Sequence, residues 1–460
     1  MKSTILPNIL TQYNPWWTTG QLPQKFVWPQ KRFFIDKLIA QIEKPYITLL
    51  TGLRRIGKTV LVYQTIEHLL KQGTPPENIF YISLEEMAAN NLHEIIENYR
   101  NLALPKGRVF CLLDEIHYIN EWSNQIKSYY DQQADIKFFV TGSSSHLLFK
   151  ASTESLVGRV NILPLYPLNF REYLHLNKIS IEPLPALQPL NFDEIFKQKI
   201  VMLGLKDRLQ TEFQTFLKFG GIPEYLDKSM KADEWYQFLR QNYLALVLFK
   251  DILMNYEIRD SRSLFRMAQY FANTITTPQS LPSIGTALGI KKETVTKYVR
   301  YLEEAFLIAQ AAFFSTSPAK SLRRNSKFYL TDIGLTQALY ASYVSPTETE
   351  IAKIIENLIF QELRAFLSQQ TGLEFPELHY WKDRHEVDFV LTLTAKPLPI
   401  EIKYTNHIQS NDFRGLIQFS RQFDCPAAVM VTKDIFEKRK VTADLTVYLI
   451  PALIFSLLLN

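Results

Sequence analysis

An α/β fold built on a doubly wound parallel sheet follows from three observations on this 460-residue sequence. The spacing G-x-x-x-x-G-K-T occurs between Gly52 and Thr59. An apolar run, "RVFCLLDE", ends in Asp114 and Glu115. Short apolar runs alternate with helix-length segments throughout the first third of the chain. That alternation predicts parallel strands covered on both faces.

The elements can be justified in order. "PYITLLTG" is a strand running into the glycine-rich turn, and "KTVLVYQTIEHLLKQG" follows with apolar residues at helical spacing and Gly73 as its C-terminal cap. "NIFYISL", "RVFCLLDE", "IKFFVTGSSS" and "RVNILPLYPL" supply further strands, the last ending near Leu168. These define a nucleotide-binding core over 1–168. From "NFREYLHL" to about Arg262 the pattern turns helical, broken by the tight turn "FGGIPEYL", and 169–262 is read as a helical lid or linker. A helix-turn-helix segment spans 263–345, and a second α/β domain spans 346–460.

Composition sets limits. The chain is 47% hydrophobic and 21% charged, enough for a large core divided into roughly two to four domains. A net charge of +5 permits a nucleic-acid partner only if the cations cluster. Cys111 and Cys425 each lie in an apolar run without metal-ligand spacing, so no disulfide framework is expected and a reducing, cytoplasmic setting suits the chain. The closing "YLIPALIFSLLLN" is too short and proline-interrupted for a membrane span, which needs about 20 apolar residues.

The glycine-rich turn carries the chemistry. Backbone N–H groups from Gly52 through Gly57 and Thr59, with the helix N-terminus, can surround phosphates. Lys58 neutralises β/γ-phosphate charge and the Thr59 hydroxyl ligates Mg²⁺. Arg54, Arg55 and Val60 are counted with these as nucleotide-contacting positions, the arginines aiming donors at the phosphates or at a neighbouring copy in a homo-oligomer. Asp114 completes the Mg²⁺ shell, and Glu115 stands where a general base polarises the attacking water. A bare acidic pair at a strand end also serves as a helix N-cap. Ser143 or Ser144, at the end of "FFVTGSSS", can contact the γ-phosphate or the water, or simply make a turn. Arg159 suits a finger acting on a neighbouring site or a sensor, and equally an ordinary ion pair.

Taken together, "NPWW", "GLRRIGKT", "LLDEIHYINEW", "TGSSSHLL", "LVGRVNILPLYPLNFREYL" and "GGIPEYL" resemble the prokaryotic AAA-type ATPases whose C-terminal half is a domain of unknown function with a winged-helix part and a restriction-endonuclease-like end. The resemblance covers nearly the whole chain. It implies ATP and ADP as ligands, ATP hydrolysis, and Arg54 and Arg55 as typical loop residues.

Two later stretches bear on a partner. "SLPSIGTALGIKKETVTKYVRYLEEAFLIAQ" reads as a short helix, a turn at Gly289, and an amphipathic helix carrying Lys291, Lys292, Thr294, Lys297 and Arg300. In a helix-turn-helix such a second helix enters the major groove of DNA. "AAFFSTSPAKSLRRNSKFYLTD" reads as a two-stranded wing with Lys320, Arg323, Arg324 and Lys327 near its tip, placed to meet phosphates. Winged helices also form protein interfaces.

In the last domain "EIAKIIENLIFQELRAFL" is an amphipathic helix bearing Glu356. It precedes a strand ending near Asp388, a turn, and a strand bearing Glu401 and Lys403 on one face. This is similar to the PD-(D/E)xK nuclease site, which implies Mg²⁺ or Mn²⁺ on Glu356, Asp388 and Glu401, with Lys403 stabilising the attacking hydroxide. Val387 stands where that pattern has proline, and Glu386 adds a charge. Two accounts remain: an ATPase acting on nucleic acid with a nuclease end, or an ATP-controlled switch whose nuclease-like fold cuts nothing. A small-molecule kinase fits the strand pattern less well.

Overall fold

The computed structural model describes residues 5–85, 91–132, 135–143, 156–184, 187, 192–227, 229–256, 258, 260–340, 347–373 and 375–459. They form two compact units. One is Met1–Tyr166 with Glu304–Phe306, and the other is Pro167–Glu303 with Leu307–Asn460.

In the first unit five strands, β1 (Ile47–Thr51), β2 (Ile79–Ser83), β3 (Val109–Asp114), β4 (Ile136–Gly142) and β5 (Val160–Pro164), form a parallel sheet in the order β2-β3-β4-β1-β5. Every residue of β1 and β3 is buried, which is why these strands read as unbroken apolar runs. Register brings Thr51 beside Gly142, and Ser83 beside Asp114. The C-terminal ends of β1, β4 and β3 therefore share one edge, with β4 between the other two.

Edge strand β2 is closed by the N-terminal "NPWW". Asn14 Nδ2 donates to the Tyr81 carbonyl at 2.8 Å, the Tyr81 N–H donates to Asn14 Oδ1 at 2.7 Å, and the indoles of Trp16 and Trp17 both donate to the Ile79 carbonyl. These bonds satisfy an edge that would otherwise offer unpaired backbone groups.

The second unit contains an eight-stranded mixed sheet, with the chain-order strands β6 (Ile308–Phe313), β7 (Lys327–Leu330), β8 (Leu378–Lys382), β9 (Glu386–Leu391), β10 (Leu398–Lys403), β11 (Ala427–Thr432), β12 (Glu437–Lys440) and β13 (Thr446–Pro451). Their order is β12-β13-β11-β10-β9-β8-β6-β7. The expected wing hairpin, β6 and β7, is thus continuous with the C-terminal strands through parallel pairing of β6 with β8. Strand pairing crosses the division expected at residue 345, because β6 has a second edge to offer.

Two local readings need correction. The single strand expected to end near Asp388 is two strands, β8 and β9, joined by a turn in which the Asp383 N–H donates to the His385 carbonyl, so Asp388 lies inside β9. Between β6 and β7 the chain makes a short helix, Pro318–Arg323, rather than a bare wing tip. The turn at "FGGIPEYL" is held from a distance: the Gly221 N–H donates to the buried carboxylate of Asp332 at 2.7 Å.

Helix Glu348–Thr371 starts at a capping box in which Thr347 and Glu350 exchange side-chain and backbone bonds. Its apolar face (Ile355, Leu358, Ile359, Leu363, Phe366) is buried in the core of this unit. Asp260 caps Ser261–Thr274, and Lys292–Glu304 buries Val295, Tyr298, Val299 and Leu302 at helical spacing. The closing helix, Ala452–Leu458, is wholly buried. No helix among the described residues is long and apolar enough to cross a membrane. Cys111 and Cys425 are buried free thiols.

Candidate functional site

The glycine-rich turn joins β1 to helix Lys58–Lys71. Gly52 has φ +148°, and a Cβ there would stand 2.3 Å from the Leu165 carbonyl oxygen, so only glycine lets the chain leave the strand this way. Gly57, at φ +96°, caps the helix without a side-chain bond to its first turn. The N-terminal N–H groups of that helix are therefore uncapped by any side chain at Gly57, the condition for anion binding. Arg32, which sequence reasoning missed, pins the turn from outside: its buried guanidinium donates to the carbonyls of Ile56 and Tyr166, each at 2.9 Å. Nothing local in its sequence marks it.

The side chains around this turn form a connected set. Lys58 is buried, and its ammonium donates to the carbonyls of Gly52 at 3.0 Å and Leu53 at 2.9 Å. Thr59 Oγ1 donates to Asp114 Oδ2 at 2.7 Å. Thr141, at the end of β4, donates its hydroxyl to Asp114 Oδ1 and accepts the Glu115 N–H at 3.0 Å. Tyr81 adds a 3.3 Å bond from its hydroxyl to Asp114 Oδ2, which links the "NPWW" clamp on β2 to the acidic residue. Burial, followed by the charge of Glu115, raises the Asp114 carboxyl above its usual range, and the Thr141 and Thr59 hydroxyls oppose that.

Glu115 has a left-handed backbone (φ 55°, ψ 52°), sparsely populated for a non-glycine residue. Its carboxylate lies 3.9 Å from the Lys58 ammonium, and its Oε2 is buried with no hydrogen-bond partner among the described residues. His117 Nδ1 comes within 3.2 Å of that oxygen without hydrogen-bond alignment. Burial, aided by Lys58 and Arg54, pulls His117 down to about 4, so the imidazole is neutral near pH 7. The group at Glu115 Oε2 is a carboxylate oxygen with lone pairs to spare.

The two loop arginines separate. Arg54 forms a 2.5 Å ion pair with Glu85, just beyond β2, and Tyr118 also donates to Glu85. Arg55 is exposed, at φ 59°. Val60 lies half-buried in the first turn of the helix. Ser143 is buried directly after β4, on the edge shared with Asp114, whereas Ser144 falls outside the described residues. Arg159 is not brought to the turn. It precedes β5 at the opposite edge of the sheet, where it pairs with Asp131 at 3.1 Å and lies over the Tyr130 ring.

The second acidic cluster lies in the other unit. Glu356 projects from its helix, Glu386 and Asp388 from β9, and Glu401 and Lys403 from β10. Asp388 Oδ2 accepts the Ile402 N–H at 2.8 Å, and Lys403 pairs with Glu401 at 3.0 Å. Lys327 overturns its reading as a wing-tip cation on phosphates: it is fully buried, 3.0 Å from Glu356, 2.7 Å from Glu386 and 3.0 Å from Asp388. Burial works against the ammonium, yet the summed attraction of Glu356, Tyr329, Asp388 and Glu386 holds it well above the usual lysine range. Burial and the neighbouring Asp388 push Glu356 up to about 8. Lys291, Lys292, Lys297, Arg300, Lys320, Arg323 and Arg324 are exposed.

Comparison with known proteins matches three stretches of the chain. Residues 44–174 match a family described as an AAA domain, while 210–347 and 352–452 match two domains of unknown function, DUF8612 and DUF4143. An uncharacterized protein of Haemophilus influenzae is 21% identical over 428 residues, covering 91% of this chain and 96% of its own length. One from Methanocaldococcus jannaschii is 28% identical over 344 residues, covering 73% and 69%. Among solved structures, C. elegans PCH-2 is 18% identical over 32% of this chain and 44% of its own, with a TM-score of 0.23, too low to weigh. The AAA-domain match and the parallel sheet with its glycine-rich turn together support an AAA-type P-loop ATPase domain at the N-terminus, followed by regions whose families have no assigned function.

Proposed function

We propose that this chain is an ATP-hydrolysing AAA-type ATPase that acts on, or is regulated by, nucleic acid. The observation behind the hydrolytic part is the arrangement at the end of β3: Asp114 held by Thr59 and Thr141, beside a Glu115 oxygen with no hydrogen-bond partner among the described residues. Phosphates entering the turn compete with the Gly52 and Leu53 carbonyls for the Lys58 ammonium. Glu115 Oε2 accepts a proton as water attacks the γ-phosphorus, and ADP leaves. Thr59 Oγ1 and Asp114 Oδ2 are the hard oxygens that would hold Mg²⁺, whose chemistry when bound is to neutralise phosphate charge. Arg159, at the far edge of the sheet, serves such a site only on a neighbouring copy.

The nucleic-acid part rests on the exposed cations of Lys292–Glu304 and of Pro318–Arg323. Duplex DNA is the partner this surface suits, through phosphates. For the C-terminal sheet we take the scaffold reading over metal-dependent cleavage, because Lys327 sits among the carboxylates that would hold the ion. The test is ATP turnover with and without duplex DNA, alongside a Mg²⁺ or Mn²⁺ cleavage assay. Turnover stimulated by DNA, with no cleavage beyond that of Asp388→Ala, is expected. Replacing Lys291 and Lys292 by alanine should lower the log–log salt slope of DNA binding by about 0.9 for each phosphate that is no longer neutralised. Absence of salt-dependent DNA binding would make the basic helix a protein interface.

A further inference from the structure

We infer that Lys327 is the resident cation of the C-terminal carboxylate cluster, that the wild-type cluster consequently takes no divalent metal, and that removing this one ammonium turns it into a divalent-cation site. The inference rests on the scaffold reading and gives it a physical cause.

Three carboxylates meet the three N–H donors of one ammonium. Lys327 Nζ lies 3.0 Å from Glu356 Oε1, 2.7 Å from Glu386 Oε1 and 3.0 Å from Asp388 Oδ1. These are hydrogen-bond lengths. Magnesium requires oxygens at about 2.0–2.1 Å in near-octahedral geometry, and the larger calcium about 2.3–2.6 Å. Several of the cluster's oxygens are also committed elsewhere, whereas Glu401 Oε2 is buried with no hydrogen-bond partner among the described residues. Tyr329 donates to Glu356 Oε1 at 2.7 Å, the Ile402 N–H to Asp388 Oδ2 at 2.8 Å, Lys382 to Glu386 Oε2 at 2.8 Å, and Lys403 to Glu401 Oε1. Among the described residues no set of three or more carboxylate, imidazole or thiolate groups is arranged to hold a metal.

Buried carboxylates this close together need a compensating cation, and either a lysine or a divalent ion supplies it. Here the cation comes from β7, which is separated from β9 in the sheet by β6 and β8. The ammonium therefore fixes the hairpin strand to β9 and to helix Glu348–Thr371 by charge, in addition to the sheet hydrogen bonds. Without it, Glu356, Glu386 and Asp388 are oxygen donors of the hard type that Mn²⁺ and Mg²⁺ prefer.

The experiment measures Mn²⁺ binding by electron paramagnetic resonance on nucleotide-free, full-length protein. Wild type, Asp388→Asn, Lys327→Met and the double variant Lys327→Met/Asp388→Asn are compared, so any weak binding at the phosphate loop is common to all four. Wild type and Asp388→Asn should titrate identically. Lys327→Met should bind one additional Mn²⁺ per chain, and the double variant should lose it. In the same samples, Mn²⁺ should raise the unfolding midpoint of Lys327→Met only. A Mn²⁺ lost from wild type on Asp388→Asn overturns the inference, as does a folded Lys327→Met that gains none. If Lys327→Met does not fold in either buffer, the comparison of wild type with Asp388→Asn decides alone. Metal-dependent cleavage by wild type would overturn the scaffold reading itself. Mn²⁺ bound at Asp388 without cleavage overturns only the present inference.

Discussion

Two groups of carboxylates, each beside a lysine, meet opposite fates in this molecule. At the phosphate loop the Lys58 ammonium is satisfied by the backbone carbonyls of Gly52 and Leu53 and stays 3.9 Å from Glu115, while Asp114 is held by neutral hydroxyls. In the C-terminal sheet Lys327 lies inside the carboxylate group and its ammonium gives one N–H to each. A hydroxyl can give way to a metal ion at little electrostatic cost, whereas a buried ammonium can be displaced only by moving a charge into an apolar core. Residue type alone does not separate these two acidic groups. The position of the cation does.

Substitutions can break each side of that comparison. The largest effect is expected at Glu115: Glu115→Gln should retain ATP binding and lose about 10²–10⁴-fold in turnover, because an amide cannot take the water's proton, and Lys58→Ala should abolish binding. Undiminished steady-state hydrolysis by Glu115→Gln would remove it from the mechanism. Next, Lys327→Met in metal-free buffer should cost about 3–5 kcal/mol of stability, since it leaves the buried carboxyls of Glu356 and Asp388 without their counter-charge. Chemical denaturation measures this, and pairing the change with Glu356→Gln should recover part of the loss. A Lys327→Met chain as stable as wild type would mean that the cluster is not held by this ammonium. A smaller effect, about 1–3 kcal/mol, is expected for Thr141→Val, which leaves Asp114 Oδ1 and the Glu115 N–H without their shared partner. It should weaken turnover far less than Glu115→Gln does, as parallel kinetic and unfolding measurements would show.

Much of the N-terminal architecture is legible along the chain because its signals are local. The spacing from Gly52 to Thr59, the fully apolar strands and the acidic end of β3 each reflect a neighbourhood of a few residues, and the parallel α/β sheet follows from their alternation. The pairing of Lys403 with Glu401 is equally local, since residues two apart on a strand share a face. Arg32, Thr141 and the "NPWW" clamp are not legible in the same way. Each acts on a partner brought close by folding: Arg32 on Ile56 and Tyr166, Thr141 on Asp114, and Asn14 on Tyr81.

Lys327 marks the boundary most clearly. By sequence it is one more cation in a basic hairpin, alongside Lys320, Arg323 and Arg324, and those three are exposed. Strand β7 is buried along its whole length, and three carboxylates from a helix and from β9, 29 to 61 positions further along the chain, converge on its lysine. The sequence determines which residues can carry charge, ligate a metal or accept a proton. Which charges are paired with each other depends on strand order and register, because electrostatic energy follows distance and burial, neither of which can be read from separation along the chain.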